Sequence, residues 1–220
     1  MERILEPELM DDPEQAEAYA MADFAASHQL RVTWFRERFG PVRCETILDL
    51  ACGSGDMTLR FARALPESRI LAVDGSQAML DLTTRLLDAE PDLHPRVQLL
   101  QAFLPSDSLP VETYDLVMCH SALHHFHDPQ VLWNTIRSHT QTGSIVFVSD
   151  LRRVSSVAEA HQIVHERAAN EHPALQRDFA ASLCAAFTAD EVRAQLITAG
   201  MIQLNVETIG DIYLLVHGVL

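Results

Sequence analysis

The sequence predicts an α/β fold in which a mostly parallel sheet is covered by helices on both faces. Short apolar runs alternate along the chain with stretches of helical length and pattern, and this alternation is typical of crossover units that join parallel strands. The small residues at 51–55 follow the first apolar run directly, which predicts a tight turn from a strand into a helix. Of the 220 residues, 48% are hydrophobic, enough for a buried core.

The first two thirds of the chain hold the regular alternation. Residues 13–38 predict a helix because Ala, Glu and Gln dominate there and Gly40-Pro41 follows. The apolar run 46–50 predicts a buried strand. The alternation beyond it predicts helices at 56–64, 77–89 and 129–138, and strands at 70–73, 97–101, 114–119 and 144–149.

The last third departs from this alternation. Residues 154–186 form a long Ala-rich stretch, which predicts a helical insertion. Thr188 and Glu191 have the spacing of a capping box at the start of a helix, and Gly200 predicts the end of that helix. The apolar runs 202–206 and 212–217 predict two closing strands, and the short link between them indicates a hairpin.

The charge balance argues against nucleic acid as a partner. The chain carries 31 acidic and 16 basic residues, a formal net charge of −15, whereas proteins that bind a nucleic-acid backbone present a basic face. It has no run of ~18 apolar residues, so we expect no membrane-spanning segment. The acidic N-terminus lacks the apolar segment of a signal peptide, and the four cysteines show no C-x-x-C spacing. We therefore expect a cytoplasmic protein.

The loop after the first strand, together with Asp74, predicts a cofactor that contains a nucleoside. Gly53 and Gly55 let the backbone turn sharply and approach a ligand, and the helix that follows points its N-terminus at that ligand. Asp74 ends the second predicted strand, where a carboxylate can accept hydrogen bonds from ribose hydroxyls.

Two residues favour S-adenosylmethionine over NAD as this cofactor. A dinucleotide fingerprint requires a third glycine three residues after Gly55, and that position is Thr58. Asp49 lies inside the strand-to-turn segment, where its carboxylate suits the ammonium and sulfonium charges of S-adenosylmethionine and would repel a pyrophosphate.

Over about residues 40–150 the chain resembles the class I, Rossmann-like S-adenosylmethionine-dependent methyltransferase family. The runs 49–55, 73–80 and 114–125 are similar to its first motif, its second motif, and its fourth strand with the loop beyond. The resemblance implies a seven-stranded sheet of order 3-2-1-4-5-7-6 that ends in an antiparallel pair, and S-adenosyl-L-methionine as the cofactor. The residues expected to contact the cofactor are Tyr19, Asp49, Ala51, Gly53, Gly55, Asp74, Gly75, Ser76, Met79, Phe103, Leu104, Cys119 and His120.

The end of the third strand differs from the family pattern. The family has Gly-Asp there, and its acid contacts the adenine amino group, whereas this chain has Ala102-Phe103. We expect Phe103 to pack against the adenine face, and the backbone of Phe103 or Leu104 to bond the adenine edge.

The resemblance also implies how the chain is organised around this core. We expect one methyltransferase domain, residues 1–220, with a helical lid at 1–40 that carries Tyr19 and Phe24. The cofactor-binding core is expected at 41–153, a helical cap insertion at 154–186, and a closing helix and β-hairpin at 187–220.

Four residues at the carboxyl end of the predicted sheet are candidates for catalysis: His120, His124, Asp150 and Arg152. A histidine there can act as a base near neutral pH, Asp150 can orient an acceptor, and Arg152 or Arg153 can bind an acceptor carboxylate. Simpler roles stay open, because His124 and His125 can pack ahead of the next helix and the arginines can form an ion pair at the start of the cap.

His161, His165 and Glu166 share a helix face in the insertion, but their order differs from that of a zinc protease. We expect no metal.

The sequence as a whole predicts transfer of a methyl group from S-adenosylmethionine to a small molecule, with a carboxylate-bearing acceptor favoured. Two other functions stay open: an NAD-dependent oxidoreductase, and a non-catalytic S-adenosylmethionine-binding regulatory protein. A protein or tRNA acceptor is a narrower alternative. The acceptor atom is left open, and the protein is expected to be a monomer or a homodimer.

Overall fold

The architecture is that of a computed structural model, which describes residues 1–10 and 13–220. The helices are α1 Pro13–Met21, α2 Ala25–Phe39, α3 Asp56–Ala64, α4 Gln77–Asp88, α5 Gln130–Ser138, α6 Val157–Ala168, α7 Pro173–Ala185 and α8 Ala189–Ala199. The strands are β1 Thr46–Leu50, β2 Arg69–Asp74, β3 Val97–Gln101, β4 Leu116–His120, β5 Ile145–Leu151, β6 Asn205–Ile209 and β7 Tyr213–Val219. Short 3₁₀ helices span His94–Arg96 and Leu123–His125.

The seven strands form one sheet of order β3-β2-β1-β4-β5-β7-β6, which confirms the predicted order. The first five strands pair in parallel, and β7 runs antiparallel to both of its neighbours. All five residues of β4 are buried, because helices cover both faces of the sheet centre. The carboxyl ends of β1, β2 and β4 therefore meet at one edge of the sheet, on either side of the point where the strand order reverses.

Two predicted elements differ from the structure by more than two residues at a boundary or by an internal break. The helix predicted at 13–38 is divided into α1 and α2, and at the break the Asp23 carboxylate accepts a hydrogen bond from the Ala25 N–H at 3.0 Å. The strand predicted at 202–206 begins only at Asn205. Ile202 is exposed and Leu204 is buried in a turn, so this apolar run closes a turn against the core instead of alternating across a sheet.

The predicted insertion at 154–186 consists of α6 and α7. These helices pack on one another around Leu183 and Ile163, in a cluster that also includes Ile212. Thr188 and Glu191 form the expected capping box at the start of α8, and Gly200 ends that helix in the left-handed conformation. Among the described residues, no helix is both long enough and apolar enough to span a bilayer.

Candidate active site

A cavity of about 320 Å³ lies at the carboxyl ends of β1, β2 and β4. This volume is within the range of small-molecule sites. Eleven of the residues predicted to contact the cofactor line it: Tyr19, Asp49, Ala51, Gly53, Asp74, Gly75, Ser76, Met79, Phe103, Leu104 and His120. Phe103, with half of its surface exposed, presents its ring to the cavity instead of packing in the core.

The loop between β1 and α3 turns through left-handed backbone conformations. Ala51, Gly53 and Gly55 have φ angles of 56°, 57° and 82°. Gly53 lines the cavity and has open space where a Cβ would lie, whereas a Cβ on Gly55 would overlap Thr83 of α4. The two glycines therefore serve different purposes: Gly53 opens the cavity, and Gly55 lets α4 approach α3.

Asp74 holds this loop from the end of β2. Its carboxylate accepts hydrogen bonds from the Gly53 N–H and the Ser76 N–H, each at 2.8 Å. Ser76 in turn begins α4, since its hydroxyl accepts from the Met79 N–H. A carboxylate oxygen has more than one acceptor site, so the two loop hydrogen bonds do not by themselves prevent Asp74 from accepting from a ligand hydroxyl.

Asp49 is an acid buried below the cavity floor. The Thr58 hydroxyl donates to it at 2.6 Å, and both side chains are buried. Burial raises the pKa of Asp49 to about 7, because a carboxylate that loses its water is harder to ionise. A cation in the cavity would lower this pKa and favour the ionised form.

A chain of polar side chains leads from α2 to the cavity through Ser149. Arg31 donates to the Ser149 hydroxyl at 3.1 Å, and that hydroxyl lies 2.7 Å from Nδ1 of His120. Burial, followed by the charge of Arg31, lowers the pKa of His120 well below its ordinary value, so the ring is neutral. If the hydroxyl donates to Nδ1, the proton of His120 is on Nε2, which is buried and has no partner within the described residues.

Arg31 itself is buried, and its hydrogen bonds in the described part of the chain go to neutral oxygens of Ser149, Ser27 and Ser121. A buried cation usually has an anionic partner. Since Ser121 lines the cavity, Arg31 gives this end of the cavity a positive potential.

His28 of α2 and Asp56 at the start of α3 line the cavity. Neither was predicted as a site residue. Nδ1 of His28 lies 2.6 Å from the Asp56 carboxylate, and Arg60 donates to the same oxygen at 2.7 Å. Burial alone would raise the pKa of Asp56, but these hydrogen bonds outweigh it and hold that pKa at about 2. An ionised Asp56 therefore faces the cavity at neutral pH.

Residues 1–10 cross the mouth of the cavity, and we call this segment the N-terminal strap. Glu8, Leu9 and Met10 line the cavity. Arg3 anchors the strap by donating to the carbonyls of His124 and Phe126, and it stacks on Phe187 at 3.9 Å. The sequence predicts a helical lid at 1–40, whereas residues 1–10 are extended. This extended segment covers the site together with Tyr19 of α1.

A second cavity of about 310 Å³ adjoins the first. Leu9, Met10 and His125 line both cavities, so these three side chains form the wall between them. The far side of the second cavity is formed by α7, through Arg177, Asp178, Ala181 and Ser182. The insertion therefore reaches the site through α7.

Comparisons with known proteins agree with this geometry. A family model described as a methyltransferase domain matches residues 48–146, the stretch from β1 to β5 that builds the cavity floor. The structure is similar to the plantazolicin methyltransferase BpumL in complex with a monoazolic desmethylPZN analog and SAH, with a TM-score of 0.72 at 14% identity over 94% of this chain and 89% of that one. It is also similar to a SAM-dependent methyltransferase from Aquifex aeolicus, with a TM-score of 0.67 at 14% identity over 94% and 97%.

The fold is the Rossmann-like fold of the methyltransferases to which the chain is similar. Among curated relatives, it is 28% identical over 138 residues to a ubiquinone biosynthesis O-methyltransferase of Acinetobacter baumannii, covering 60% of this chain and 56% of the relative. It is 26% identical over 129 residues to an uncharacterized methyltransferase of Schizosaccharomyces pombe, covering 56% and 46%. The chain thus spans about half the length of the curated relatives it matches.

Several predicted site residues lie outside the linings of both cavities. Gly55 packs on α4, and Cys119 is wholly buried in the core. His124 and Asp150 are buried against each other, with Nδ1 of His124 2.5 Å from the carboxylate. Arg152 donates to the Asp211 carbonyl. The structure gives no support to direct contact of these five residues with cofactor or acceptor, because each is occupied by packing or by protein partners.

Two further groups from the sequence analysis also lie apart from the cavities. Arg153 pairs with Glu191 at 2.6 Å, which is the ion pair at the start of the cap that the sequence left open. His161, His165 and Glu166 are exposed on α6, and Gln162 donates to Glu166 at 2.9 Å. Phe24 does not line the cavity but packs against Tyr19 at a ring distance of 4.8 Å.

Proposed function

We propose that this protein transfers the methyl group of S-adenosylmethionine to a small molecule that binds in the second cavity. The observation that carries the proposal is the shared wall of Leu9, Met10 and His125 between two adjoining cavities. Methyl transfer requires cofactor and acceptor to be held in contact and in line, so the side chains of Leu9 and Met10 would move aside to let the acceptor reach the methyl group.

The residues of the first cavity fit the cofactor. Asp74 has acceptor capacity for ribose hydroxyls, Phe103 offers an exposed ring for the adenine, and Gly53 leaves room for close approach. The unpartnered Nε2 of His120 and the positive potential of Arg31 suit the carboxylate of the methionine portion. The neighbouring BpumL structure holds SAH, which supports the same cofactor here.

When bound, the cofactor supplies an electrophilic methyl group on a positively charged sulfur. The acids Asp49 and Asp56 favour the positive charges of such a ligand, and Asp56 is ionised at neutral pH because its pKa is about 2. The N-terminal strap and Tyr19 cover the cavity, which limits the access of water to the reacting groups.

The wall residue His125 is neutral at physiological pH. Burial, followed by the charge of His124, lowers the pKa of His125 to about 4. Its Nδ1 lies 2.9 Å from the Pro7 carbonyl oxygen, and since a carbonyl only accepts, Nδ1 carries the proton. His125 therefore turns an uncharged face to both cavities and does not repel a cationic cofactor.

Arg177 brings a guanidinium to the second cavity, with 72% of its side chain exposed and its Nε paired with Asp178 of the same lining at 3.4 Å. Its remaining N–H groups can donate to a ligand. We propose that Arg177, and not Arg152 or Arg153, faces the acidic group of a carboxylate-bearing acceptor. A relative with the same domain acts in ubiquinone biosynthesis as an O-methyltransferase, which supports a small hydroxylated acceptor.

The experiment is an acceptor screen that measures SAH formation, with acidic and neutral analogues in matched pairs. An Ala181→Trp variant fills the second cavity from α7 and should lose turnover while retaining cofactor affinity, since Ala181 does not line the first cavity. An Ala169→Trp variant is the control, because Ala169 is exposed at the end of α6.

The possible outcomes separate the alternatives. Cofactor binding without SAH from any acceptor would favour a regulatory protein, and binding of NAD without S-adenosylmethionine would favour an oxidoreductase. Full turnover by Ala181→Trp would refute the second cavity as the acceptor site.

A further inference from the structure

Beneath the wall between the two cavities, two histidines and a glutamate converge. One potential ligand atom from each of Glu6, His124 and His125 lies within 4.8 Å of the others. Glu6 belongs to the N-terminal strap, and the histidines belong to the loop after β4. The cluster therefore joins two segments that are far apart in the sequence.

The carboxylate of Glu6 has an unexplained oxygen. Oε2 accepts from the Ser182 hydroxyl at 3.2 Å, whereas Oε1 is buried and has no hydrogen-bond partner among the described residues. The side chain is only 8% exposed. Its polar neighbours, nitrogens of His124 and His125, lie at ion-pair distances. A buried carboxylate oxygen without a hydrogen bond is costly, and each such group calls for a specific explanation.

The spacing around this oxygen matches that of ligands around one ion. Oε1 of Glu6 lies 3.5 Å from Nε2 of His124 and 3.7 Å from Nδ1 of His125. These distances are long for hydrogen bonds. Two ligands of a tetrahedral zinc with bonds of about 2.0–2.1 Å are about 3.3–3.4 Å apart, so a shift of a few tenths of an ångström would bring the Glu6 oxygen to the required separation from each histidine nitrogen.

The surroundings also orient His124 as metal-binding histidines are oriented. Nδ1 of His124 contacts the Asp150 carboxylate, which holds a proton on Nδ1 and turns Nε2 toward Glu6, the usual arrangement around zinc. Despite burial, Asp150 and Glu6 raise the pKa of His124, so an ion would displace a proton from Nε2 when it binds. Asp150, expected from the sequence to act on the acceptor, would instead position His124. His125 would change to its other neutral tautomer, with the proton on Nε2 instead of Nδ1, and Nδ1 would exchange the Pro7 carbonyl for the ion.

We propose that Glu6, His124 and His125 bind a divalent transition-metal ion, for which Zn²⁺ is the best match. Imidazole and carboxylate ligands suit this ion, and three protein ligands leave one position open. The ion would fasten the N-terminal strap to the loop after β4. Because Glu8, Leu9 and Met10 of the strap line the cofactor cavity, the bound ion would also slow release of the cofactor.

The test is a calorimetric titration of Zn²⁺ into untagged, full-length protein that a chelator has stripped of metal, without cofactor. We expect one site per chain. Glu6→Gln retains the shape of the side chain and a partner for Ser182 but supplies a poorer ligand, and it should weaken Zn²⁺ binding at least about tenfold. Glu2→Gln, an exposed strap residue, is the matched control and should bind as the wild type does.

A second measurement uses Co²⁺ in place of Zn²⁺, since a tetrahedral site with nitrogen and oxygen ligands gives visible absorption. The wild type should show this absorption, and Glu6→Gln should lose most of it. Stopped-flow release of SAH should be several times slower with Zn²⁺ than without it in the wild type, and unchanged by Zn²⁺ in Glu6→Gln.

Three results would overturn the proposal: no binding to the wild type, equal binding to Glu6→Gln, or loss of binding in a His161→Ala, His165→Ala double variant, which would assign the ion to the exposed pair on α6. Circular dichroism and cofactor binding check that each variant folds. Zn²⁺ binding is independent of the acceptor, so failure to find a methylated product would count against the proposed function and not against the metal site.

Discussion

The two glycines of the β1–α3 loop should respond differently to the same substitution. Gly55→Ala places a methyl group against Thr83, whose Oγ1 and Cβ would lie 2.9 and 3.0 Å from the new atom and whose Cγ2 would lie closer still. The backbone at Gly55 also has a φ of 82°, which is unfavourable for alanine. Gly53→Ala meets the same backbone penalty but has no atom within 4 Å.

The expected magnitudes follow from these contacts. A left-handed conformation costs a non-glycine residue roughly 1–2 kcal/mol, and overpacking in a filled interior adds about 1–3 kcal/mol. Gly55→Ala should therefore reduce the free energy of unfolding by about 2–5 kcal/mol, and Gly53→Ala by about 1–2 kcal/mol. In a protein of this size each kcal/mol lowers the melting temperature by roughly 2–4 °C.

The assay is urea unfolding of both variants, with cofactor affinity measured on each. Gly53→Ala should weaken the free energy of cofactor binding more than it lowers the free energy of unfolding, because Gly53 lines the cavity and Gly55 does not. Thr83→Ser removes Cγ2, the atom of closest overlap, while keeping the hydroxyl that donates to the Gly53 carbonyl at 2.8 Å. The double variant Gly55→Ala, Thr83→Ser should be more stable than the sum of the single changes predicts, by about 1 kcal/mol or more. A Gly55→Ala protein as stable as Gly53→Ala, or additive effects with Thr83→Ser, would refute the steric argument.

Three other predictions concern stability. Burial raises the folded pKa of Asp49 from 3.8 to about 7, so the folded state keeps a proton that the unfolded chain releases. The free energy of unfolding should therefore fall as pH rises from about 4 to about 7. In urea unfolding this fall should be smaller for Asp49→Asn, and an equal fall would contradict the raised pKa. Thr188→Ala removes the capping-box hydroxyl bonded to the Glu191 N–H and should cost about 1 kcal/mol in thermal unfolding, whereas an unchanged melting temperature would contradict the cap. Trp133→Phe leaves the buried Gln195 amide oxygen without its 2.9 Å donor and should cost at least about 1–3 kcal/mol, part of which Gln195→Met in the same background should recover.

The fold was predictable because its signals are local. The predicted bounds of β1 and β3 match the structure. β1 is readily predicted since a buried strand of a parallel sheet is apolar on both faces. The predicted boundaries of two elements were wrong. The N-terminal helix is interrupted at Asp23, and Leu204 fills a turn, and neither feature leaves a periodic signal in the sequence.

The site was predictable only on the side that the loop motif forms. Gly53 belongs to the run 49–55 and Asp74 to the run 73–80, and the residue spacing within each run predicts its local geometry. His28 and Arg31 face the site from α2, 18 or more residues before the first motif residue, and no spacing rule connects them to it. The N-terminal strap lacks any regular pattern because its hydrogen bonds go to distant loops instead of to itself.

Sequence by itself determined the strand order, through the family resemblance, and the class of cofactor, through the run that ends β1 and the acid that ends β2. Local spacing was sufficient there because a tight turn and a strand end place their own residues. Tertiary structure alone decided which charged side chains reach the cavities. His124 and Asp150 lie in the motif-rich loop and strand, yet they bond to each other, while Glu6 and Arg177 come from segments without motifs and line the second cavity. That outcome depends on how the strap and α7 pack over the sheet, which no short stretch of sequence specifies.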